Sequence, residues 1–240
     1  MLVKFCAKVN TFAECFNIYI SMKKLFIMCI ASLLAAACTS NTSNTTGTDK
    51  PAGAEFSTPG KILVAVDVQR DFFDPSGALY VSGGEELPEQ IAEIAGSYDA
   101  VIFTLDWHPG NHCSFAEQGG IWPAHCVAYT QGAGLPDCFS PILAQGADKV
   151  QLFFKGQEQD KEQYGAFEDL GEGCIRHWLE NCSGLDICGI AGDYCVKEST
   201  ANLLKIVPAE KITILTSLVR SIDDGSTLAA FIEENGLQQK

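Results

Sequence analysis

Five short apolar runs, separated by amphipathic segments, constrain the fold of this chain more than any other feature of its sequence. They are nearly continuous in apolar residues, which is typical of strands buried on both faces of a parallel sheet. Strands that alternate with helices predict an α/β fold with a mostly parallel, doubly wound sheet. The runs are KILVAV (61–66), AVIFTL (100–105), VQLFF (150–154), LDICGI (185–190) and ITILT (212–216), with helical periodicity at 87–95, 170–179, 196–206 and 226–232.

A chemically active residue follows four of these runs at the point where each one ends. Asp67 follows the first run, Asp106 the second and Lys155 the third, while a turn that contains Cys195 follows the fourth. In an open parallel sheet, ligands bind beyond the carboxyl ends of the strands. Any one of these residues has an ordinary alternative as a cap or a surface charge, but four at one edge predict a functional site.

Cys195 lies in GIAGDYCV (189–196), where a strand ends and a helix is predicted to begin. Asp193 is predicted to cap that helix, and the free N–H groups of its first turn would lower the thiol pKa and hold an oxyanion. Asp67 is a candidate to take the thiol proton, with Lys155 keeping that carboxylate ionised. From position alone, a buried structural thiol is an equally good interpretation of Cys195.

Three of the four histidines of the chain fall within residues 106–127. Asp106 and His108 are two residues apart at a strand end, and His125 comes from the following loop. One carboxylate and two imidazoles form a reasonable site for a divalent metal with open positions for water or substrate. His112 is either a fourth ligand or a residue that orients the loop.

Six motifs bring these residues into the pattern of a known family. From about Lys61 to the C-terminus, and in the same order, they resemble the nicotinamidases of the isochorismatase-like hydrolase superfamily. The motifs are VDVQRDF (66–72), DWHPGNHCSF (106–115), WPAHCV (122–127), FFKG (153–156), YGAF (164–167) and GIAGDYCV (189–196).

The resemblance implies a three-layer α/β/α sandwich and assigns roles to the candidate residues. It implies that Cys195 is the nucleophile, Asp67 the proton-transfer group and Lys155 its partner. It also implies one divalent metal ion, with Zn²⁺ preferred over Fe²⁺ or Mn²⁺. The implied metal ligands are Asp106, His108 and His125.

The same resemblance implies how the substrate is held. The family has a cis peptide where Ile190–Ala191 falls, which would help to aim the amides of Ala191 and Cys195 at an oxyanion. An aromatic ring would lie against three side chains, for each of which ordinary core packing is the alternative. These side chains are Phe72, Trp122 and Tyr164.

Three departures from the family pattern surround this site. Arg70 stands where the family usually has Asn, and Gly192 replaces a usual Thr before Asp193. The last strand, 215–221, lacks the usual ending of an acidic residue followed by Thr and Gly. The nucleophile and the metal ligands are not affected by these changes.

The expected reaction is hydrolysis of nicotinamide to nicotinic acid and ammonia through a cysteine thioester, which would feed NAD salvage. One alternative is another amide or carbamoyl hydrolase of the superfamily, since those relatives keep the Asp-Lys-Cys set. They usually lack the metal ligands, so the presence of Asp106, His108 and His125 distinguishes this chain from them. The other is a non-catalytic lipoprotein that binds a small aromatic ligand. The formal net charge of −14 argues against a nucleic-acid partner.

The N-terminus resembles a bacterial lipoprotein signal peptide. Residues 22–38 begin with two lysines, continue with an apolar run of about ten residues that is too short to span a bilayer, and end at Cys38, the predicted lipidation site. Residues 1–21 are interpreted as an over-extended start, 39–60 as a flexible tether and 61–240 as the hydrolase domain.

This interpretation predicts a protein of the bacterial cell envelope, on the periplasmic side, held to the membrane through a lipid anchor only. An ordinary secretory signal is the alternative. The expected partner is the small-molecule substrate, and the sequence leaves open whether copies of the chain also form a homo-oligomer.

Overall fold

The computed structural model describes residues 56–240. The predicted start, the signal peptide with Cys38 and most of the tether lie outside these residues. No helix among residues 56–240 combines the length and apolar character that a membrane crossing requires.

Within the described residues, six parallel strands form a single sheet in the order β3-β2-β1-β4-β5-β6. Five of them correspond to the five apolar runs, and the fold class predicted from the sequence is confirmed. The short β6 was missed because two exposed glutamines carry no apolar pattern. The strands are β1 (Lys61–Val66), β2 (Ala100–Asp106), β3 (Val150–Lys155), β4 (Gly184–Ile190), β5 (Ile212–Arg220) and β6 (Gln238–Gln239).

Within residues 56–240, six α-helices flank the sheet, and four of them fall in the segments with helical periodicity. The second begins with Pro88 in its first turn, where the missing N–H has no helical partner to lose. The fourth begins after Gly173, whose backbone is extended (φ +156°, ψ −170°) and does not continue the helix. The helix therefore begins at Cys174, later than the periodicity at 170–179 predicts. The helices are α1 (Arg70–Phe73), α2 (Leu87–Ala95), α3 (Ser140–Leu143), α4 (Cys174–Asn181), α5 (Lys197–Leu203) and α6 (Ser226–Glu234).

Two apolar clusters lie on the two faces of the sheet, because successive side chains of each strand point to opposite faces. In β1, Ile62 and Val64 pack with Trp178 of α4 on one face. Leu63 of the same strand packs with Ile91 of α2 on the other face. Residues 56–240 therefore form the three-layer α/β/α sandwich that the family resemblance implies.

The order of the strands reverses between β1 and β4, which are neighbours in the sheet but far apart in the chain. This is the position at which open parallel sheets bind ligands, outside the carboxyl ends of the strands. Asp67 follows β1 and Cys195 follows β4, so both lie at this position. The long connection between β2 and β3, residues 107–149, supplies further side chains to the same edge.

Residues 56–60, which the sequence analysis assigns to the end of the tether, contact the hydrolase domain. The Thr58 hydroxyl lies 3.1 Å from His177 Nε2, and the Phe56 ring lies 5.8 Å from the His177 ring. The Ser183 N–H donates a hydrogen bond of 2.7 Å to the Gly60 carbonyl. Contacts with the domain thus begin before residue 61, where the sequence analysis places its boundary.

Candidate active site

The buried amine of one strand-end residue contacts the other three. Lys155, the last residue of β3, is 1% exposed. Its Nζ lies 2.5 Å from Asp106 Oδ1, 2.8 Å from Asp67 Oδ2 and 3.6 Å from Cys195 Sγ. Asp67, Asp106 and Cys195 each bring one side-chain atom within 4.8 Å of the others. The four residues that the sequence assigns to one edge of the sheet are therefore in mutual reach.

Asp67 is held in place by the neighbouring strand. Its backbone leaves β1 with a positive φ of +50°, and its N–H donates to the Thr104 carbonyl over 3.1 Å. The Thr104 hydroxyl donates a 2.6 Å hydrogen bond to Asp67 Oδ1. The other carboxylate oxygen is left to face Lys155.

Burial dominates the electrostatics of these groups. It raises the pKa of the Asp67 carboxyl against the opposing charge of Lys155. It also raises the pKa of the Cys195 thiol well above its usual value, because the nearby carboxylates add to the effect and Lys155 offsets only part of it. Burial alone would lower the pKa of Lys155, but Asp106 and Asp67 hold it well above its usual range. These effects favour the neutral thiol, opposite to the lowered thiol pKa expected from the sequence.

The turn that carries Cys195 differs from the predicted helix start. Gly192–Val196 forms a π-helical turn before α5, and its N-cap is Ala191. Asp193 makes no capping bond, so the predicted cap is wrong. Its carboxylate instead accepts hydrogen bonds from the N–H groups of Ile222, at 2.9 Å, and Asp223, at 3.0 Å. The reason is that Asp193 already lies inside the turn and points toward the loop between β5 and α6.

The peptide bond between Ile190 and Ala191 is cis, as the resemblance implies. Ala191 and Cys195, the predicted oxyanion residues, both line one pocket. A Cβ added to Gly192 would lie 2.2 Å from the Ser221 hydroxyl oxygen. Ser221 thus occupies the space that a side chain at position 192 would need, which connects two of the three departures from the family pattern.

Arg70, the remaining departure, is paired with a neighbouring carboxylate. Its guanidinium forms an ion pair of 3.1 Å with Asp74 Oδ2. Arg70 is not among the residues that line the pocket.

Asp106, His108 and His125 form a group that can hold a divalent metal. Asp106 Oδ2 lies 3.6 Å from His108 Nε2 and 3.9 Å from His125 Nε2. The other ring nitrogens are 2.9 Å from the Gly156 carbonyl and 2.8 Å from the Pro123 carbonyl. Because a carbonyl only accepts, each Nδ1 carries a proton, and in the neutral ring each Nε2 offers its lone pair to the shared space. The donor set and its orientation therefore fit a metal ion.

His112 is not part of this group, although its ring centroid lies 4.1 Å from that of His108. Its Nδ1 lies 2.7 Å from the Ser114 hydroxyl, and its Nε2 lies 3.0 Å from the Lys161 carbonyl. Both ring nitrogens already have protein partners, so His112 has no free nitrogen with which to act as a fourth metal ligand.

The pocket between the metal group and Cys195 is lined by aromatic side chains. Phe72, Trp122 and Tyr164, the three predicted from the resemblance, all line it. The Trp122 indole N–H donates a 3.0 Å hydrogen bond to the Tyr164 hydroxyl. The Tyr194 ring packs edge-on against the Trp122 ring, with 5.2 Å between the ring centroids. The centroid of Tyr194 lies 5.3 Å from that of Tyr164. The pocket thus offers flat apolar walls for a small ring.

Sequence analysis missed several lining residues. Tyr194 lies within a quoted motif, and its place directly before Cys195 was the available signal. Glu162 and Gln163 precede Tyr164, and burial raises the pKa of the Glu162 carboxyl. The remaining apolar wall comes from Leu79, Val81 and Ile222, for which the sequence carries no signal.

Comparison with known proteins found sequence relatives and solved structures of the same fold. The chain is 30% identical over 208 residues to a nicotinamidase of Saccharomyces cerevisiae, a match that covers 72% of this chain and 94% of the relative. PnC1 from L. infantum in complex with nicotinate has a TM-score of 0.66 at 30% identity, covering 77% of this chain and 94% of that one. The pyrazinamidase of Pyrococcus horikoshii in complex with zinc has a TM-score of 0.61 at 32% identity, with 76% and 99% covered. A comparison with protein-family models found no match.

Proposed function

Since this chain belongs to the nicotinamidase family, we infer that it hydrolyses the carboxamide of nicotinamide to nicotinic acid and ammonia. The observation that carries this conclusion is that Cys195, which lines a pocket with aromatic walls, contacts Lys155, and Lys155 in turn pairs with Asp67. The relatives include a structure with nicotinate, and nicotinate is the product expected here. We assign the product to NAD salvage.

The first half of the reaction begins with a neutral thiol. Asp67, whose pKa burial raises, takes the Cys195 proton as the sulfur attacks the amide carbon. The charge of Lys155 offsets the negative charge that builds up on the sulfur. The amides of Ala191 and Cys195 hold the oxyanion, which typically contributes about 3–4 kcal/mol per donor.

The second half releases both products. Asp67 returns its proton to the leaving nitrogen, the carbon–nitrogen bond breaks and ammonia departs, which leaves a thioester on Cys195. Water then attacks the thioester with Asp67 as the base, the carbon–sulfur bond breaks to give nicotinic acid, and Asp67 returns the proton to the Cys195 sulfur. Phe72, Trp122 and Tyr164 keep the ring against the pocket wall and exclude other water.

Asp106, His108 and His125 would hold the metal ion, and we propose Zn²⁺ because it accepts mixed nitrogen and oxygen ligands. A divalent ion held there would supply a positive centre for the pyridine nitrogen of the substrate. The protein's own part is to aim both Nε2 atoms at that centre through the carbonyls of Gly156 and Pro123.

Ammonia release from nicotinamide, measured with and without a chelator, tests this function. We expect turnover by the wild type, loss of turnover in Cys195→Ala with metal content unchanged, and a steep rise in KM with loss of metal in His108→Ala. Ammonia release that persists in Cys195→Ala would exclude the cysteine as nucleophile. Wild-type kinetics in His108→Ala would exclude the metal from substrate binding.

We further propose that the protein is anchored in the cell envelope, on the periplasmic side, by lipid on Cys38. The proposal is supported by the lipoprotein-type pattern of residues 22–38. Mass spectrometry of the N-terminal peptide from the native host should find a diacylated Cys38. An unprocessed, unlipidated N-terminus would contradict it.

A further inference from the structure

Asp106 faces both halves of the site at once. Its Oδ1 lies 2.5 Å from Lys155 Nζ, while its Oδ2 faces the imidazoles of His108, at 3.6 Å, and His125, at 3.9 Å. A shift of this residue would move the amine and the metal group relative to each other. Displacements of about 1 Å in a catalytic constellation can cost on the order of a hundredfold in rate, so the backbone of Asp106 must be held firmly.

The backbone of Asp106 extends beyond the strand that would pair with it. The β1–β2 pairing ends at Val66 opposite Thr104, and Asp67 then turns out of the sheet. On its other side, β2 continues to pair with β3 as far as Lys155. The N–H and the carbonyl of Asp106 that point toward β1 therefore lack a strand partner, in a residue that is only 4% exposed.

The side chain of Gln69 supplies what the strand does not. Its Oε1 accepts the Asp106 N–H over 2.8 Å, and its Nε2 donates to the Asp106 carbonyl over 2.8 Å. The same Nε2 donates to the Ala133 carbonyl over 2.9 Å. Gln69 is fully buried, and only one orientation of its amide satisfies all three backbone groups.

We propose that Gln69 is a positioning residue of the reaction, whose carboxamide replaces the missing strand neighbour of Asp106 and so fixes that carboxylate between Lys155 and the imidazoles. A carboxamide is needed because it presents an acceptor and two donors in one plane. Ionised glutamate at this position offers only acceptors, protonated glutamate offers one donor where two carbonyls need one each, and methionine offers no comparable polar atom. The kinetic part of the proposal rests on the proposed function, whereas the effect on metal binding does not.

The test compares Gln69→Met and Gln69→Glu with the wild type. Zn²⁺ affinity is measured by competition with a chelator, and kcat and KM by ammonia release from nicotinamide. We expect the Zn²⁺ dissociation constant to rise and kcat to fall, each by about 10–100-fold, as is typical when a residue that orients a metal ligand is lost. Wild-type Zn²⁺ affinity and kcat in folded Gln69→Met would overturn the proposal.

Tyr98→Phe is the matched control for a loss of stability alone. It removes a 2.6 Å hydrogen bond to Asp186 near the amino ends of the strands, far along the sheet from Asp106. We expect it to lower Tm with Zn²⁺ affinity and kcat unchanged. If the Gln69 variants change both quantities no more than Tyr98→Phe does, the role of Gln69 is only structural and the proposal fails.

Two further outcomes are separated by the same measurements. If Gln69→Met does not fold, the nearly isosteric Gln69→Glu decides by the same criteria. If the wild type binds Zn²⁺ but releases no ammonia from nicotinamide, the proposed function fails while the affinities still decide the role of Gln69.

Discussion

Lys155 carries its charge in the protein interior because two carboxylates meet it there. Burial would favour the neutral amine, but Asp106 and Asp67 raise its pKa well above the usual range. The ion pairs are short, at 2.5 Å and 2.8 Å, and side chains at this position are shielded from solvent. One fixed positive charge therefore compensates two carboxylates at rest and remains available when the thiol loses its proton.

Removal of this amine should destabilise the protein as well as inactivate it. In Lys155→Met, Asp67 and Asp106 face each other without a counter-charge, and breaking such a buried pair typically costs about 3–5 kcal/mol. We expect a loss of this size in the free energy of unfolding, measured by urea denaturation, together with loss of ammonia release.

Lys161→Met is the control for Lys155→Met. Lys161 pairs with Asp169 at 2.8 Å near the surface, and such pairs contribute about 0–1 kcal/mol. If Lys155→Met is no less stable than Lys161→Met, the buried ion pairs do not hold the site together.

At the scale of elements, the end of β3 positions a metal ligand as well as the amine. The residue after the strand, Gly156, has a φ of +65° and accepts the His108 Nδ1–H through its carbonyl. A Cβ on Gly156 would lie 2.4 Å from His108 Cε1. The strand end therefore needs glycine both for its backbone conformation and for the close approach of the imidazole ring.

Gly156→Ala should displace His108 and weaken metal binding. Loss of an orienting contact of this kind typically costs about 10–100-fold in metal affinity, which chelator competition would measure. Gly146→Ala is a suitable control, since Gly146 also has a positive φ, of +86°, but a Cβ there meets no atom within 4 Å. Equal metal affinity in the two variants would mean that the contact between position 156 and His108 does not control metal binding.

At the scale of the whole molecule, the metal group connects the sheet to the long connection over its edge. Asp106 is the last residue of β2, whereas His125 lies within residues 107–149. An ion shared by these ligands binds the folded state and not the unfolded chain, so it stabilises the fold by mass action.

Metal removal should therefore lower Tm as well as activity. Free metal at a hundredfold excess over its dissociation constant contributes about 2.7 kcal/mol of stability, which a chelator would abolish. Calorimetry with and without chelator measures the shift, and His108→Ala should show none. An unchanged wild-type Tm after verified metal removal would contradict the link between this site and the fold.

The sequence by itself determined the parallel sheet, the positions of β1 to β5 and the edge at which Asp67, Asp106, Lys155 and Cys195 meet. These features follow from local pattern: continuous apolar runs specify buried strands, and the parallel arrangement brings the ends of those strands together. The predicted roles of the site residues stay predictions until the variants are measured.

Only the tertiary structure decided the features that depend on contacts between distant segments. The hydrogen-bond partners of Asp193 come from the loop after β5, and the hydrogen bonds between Gln69 and Asp106 connect the ends of two strands. The direction in which the Cys195 pKa shifts depends on how completely packing removes water from the thiol. Local sequence does not encode that burial. Hydrogen bonding and desolvation are set by three-dimensional neighbours, whereas apolar periodicity is set by the chain itself.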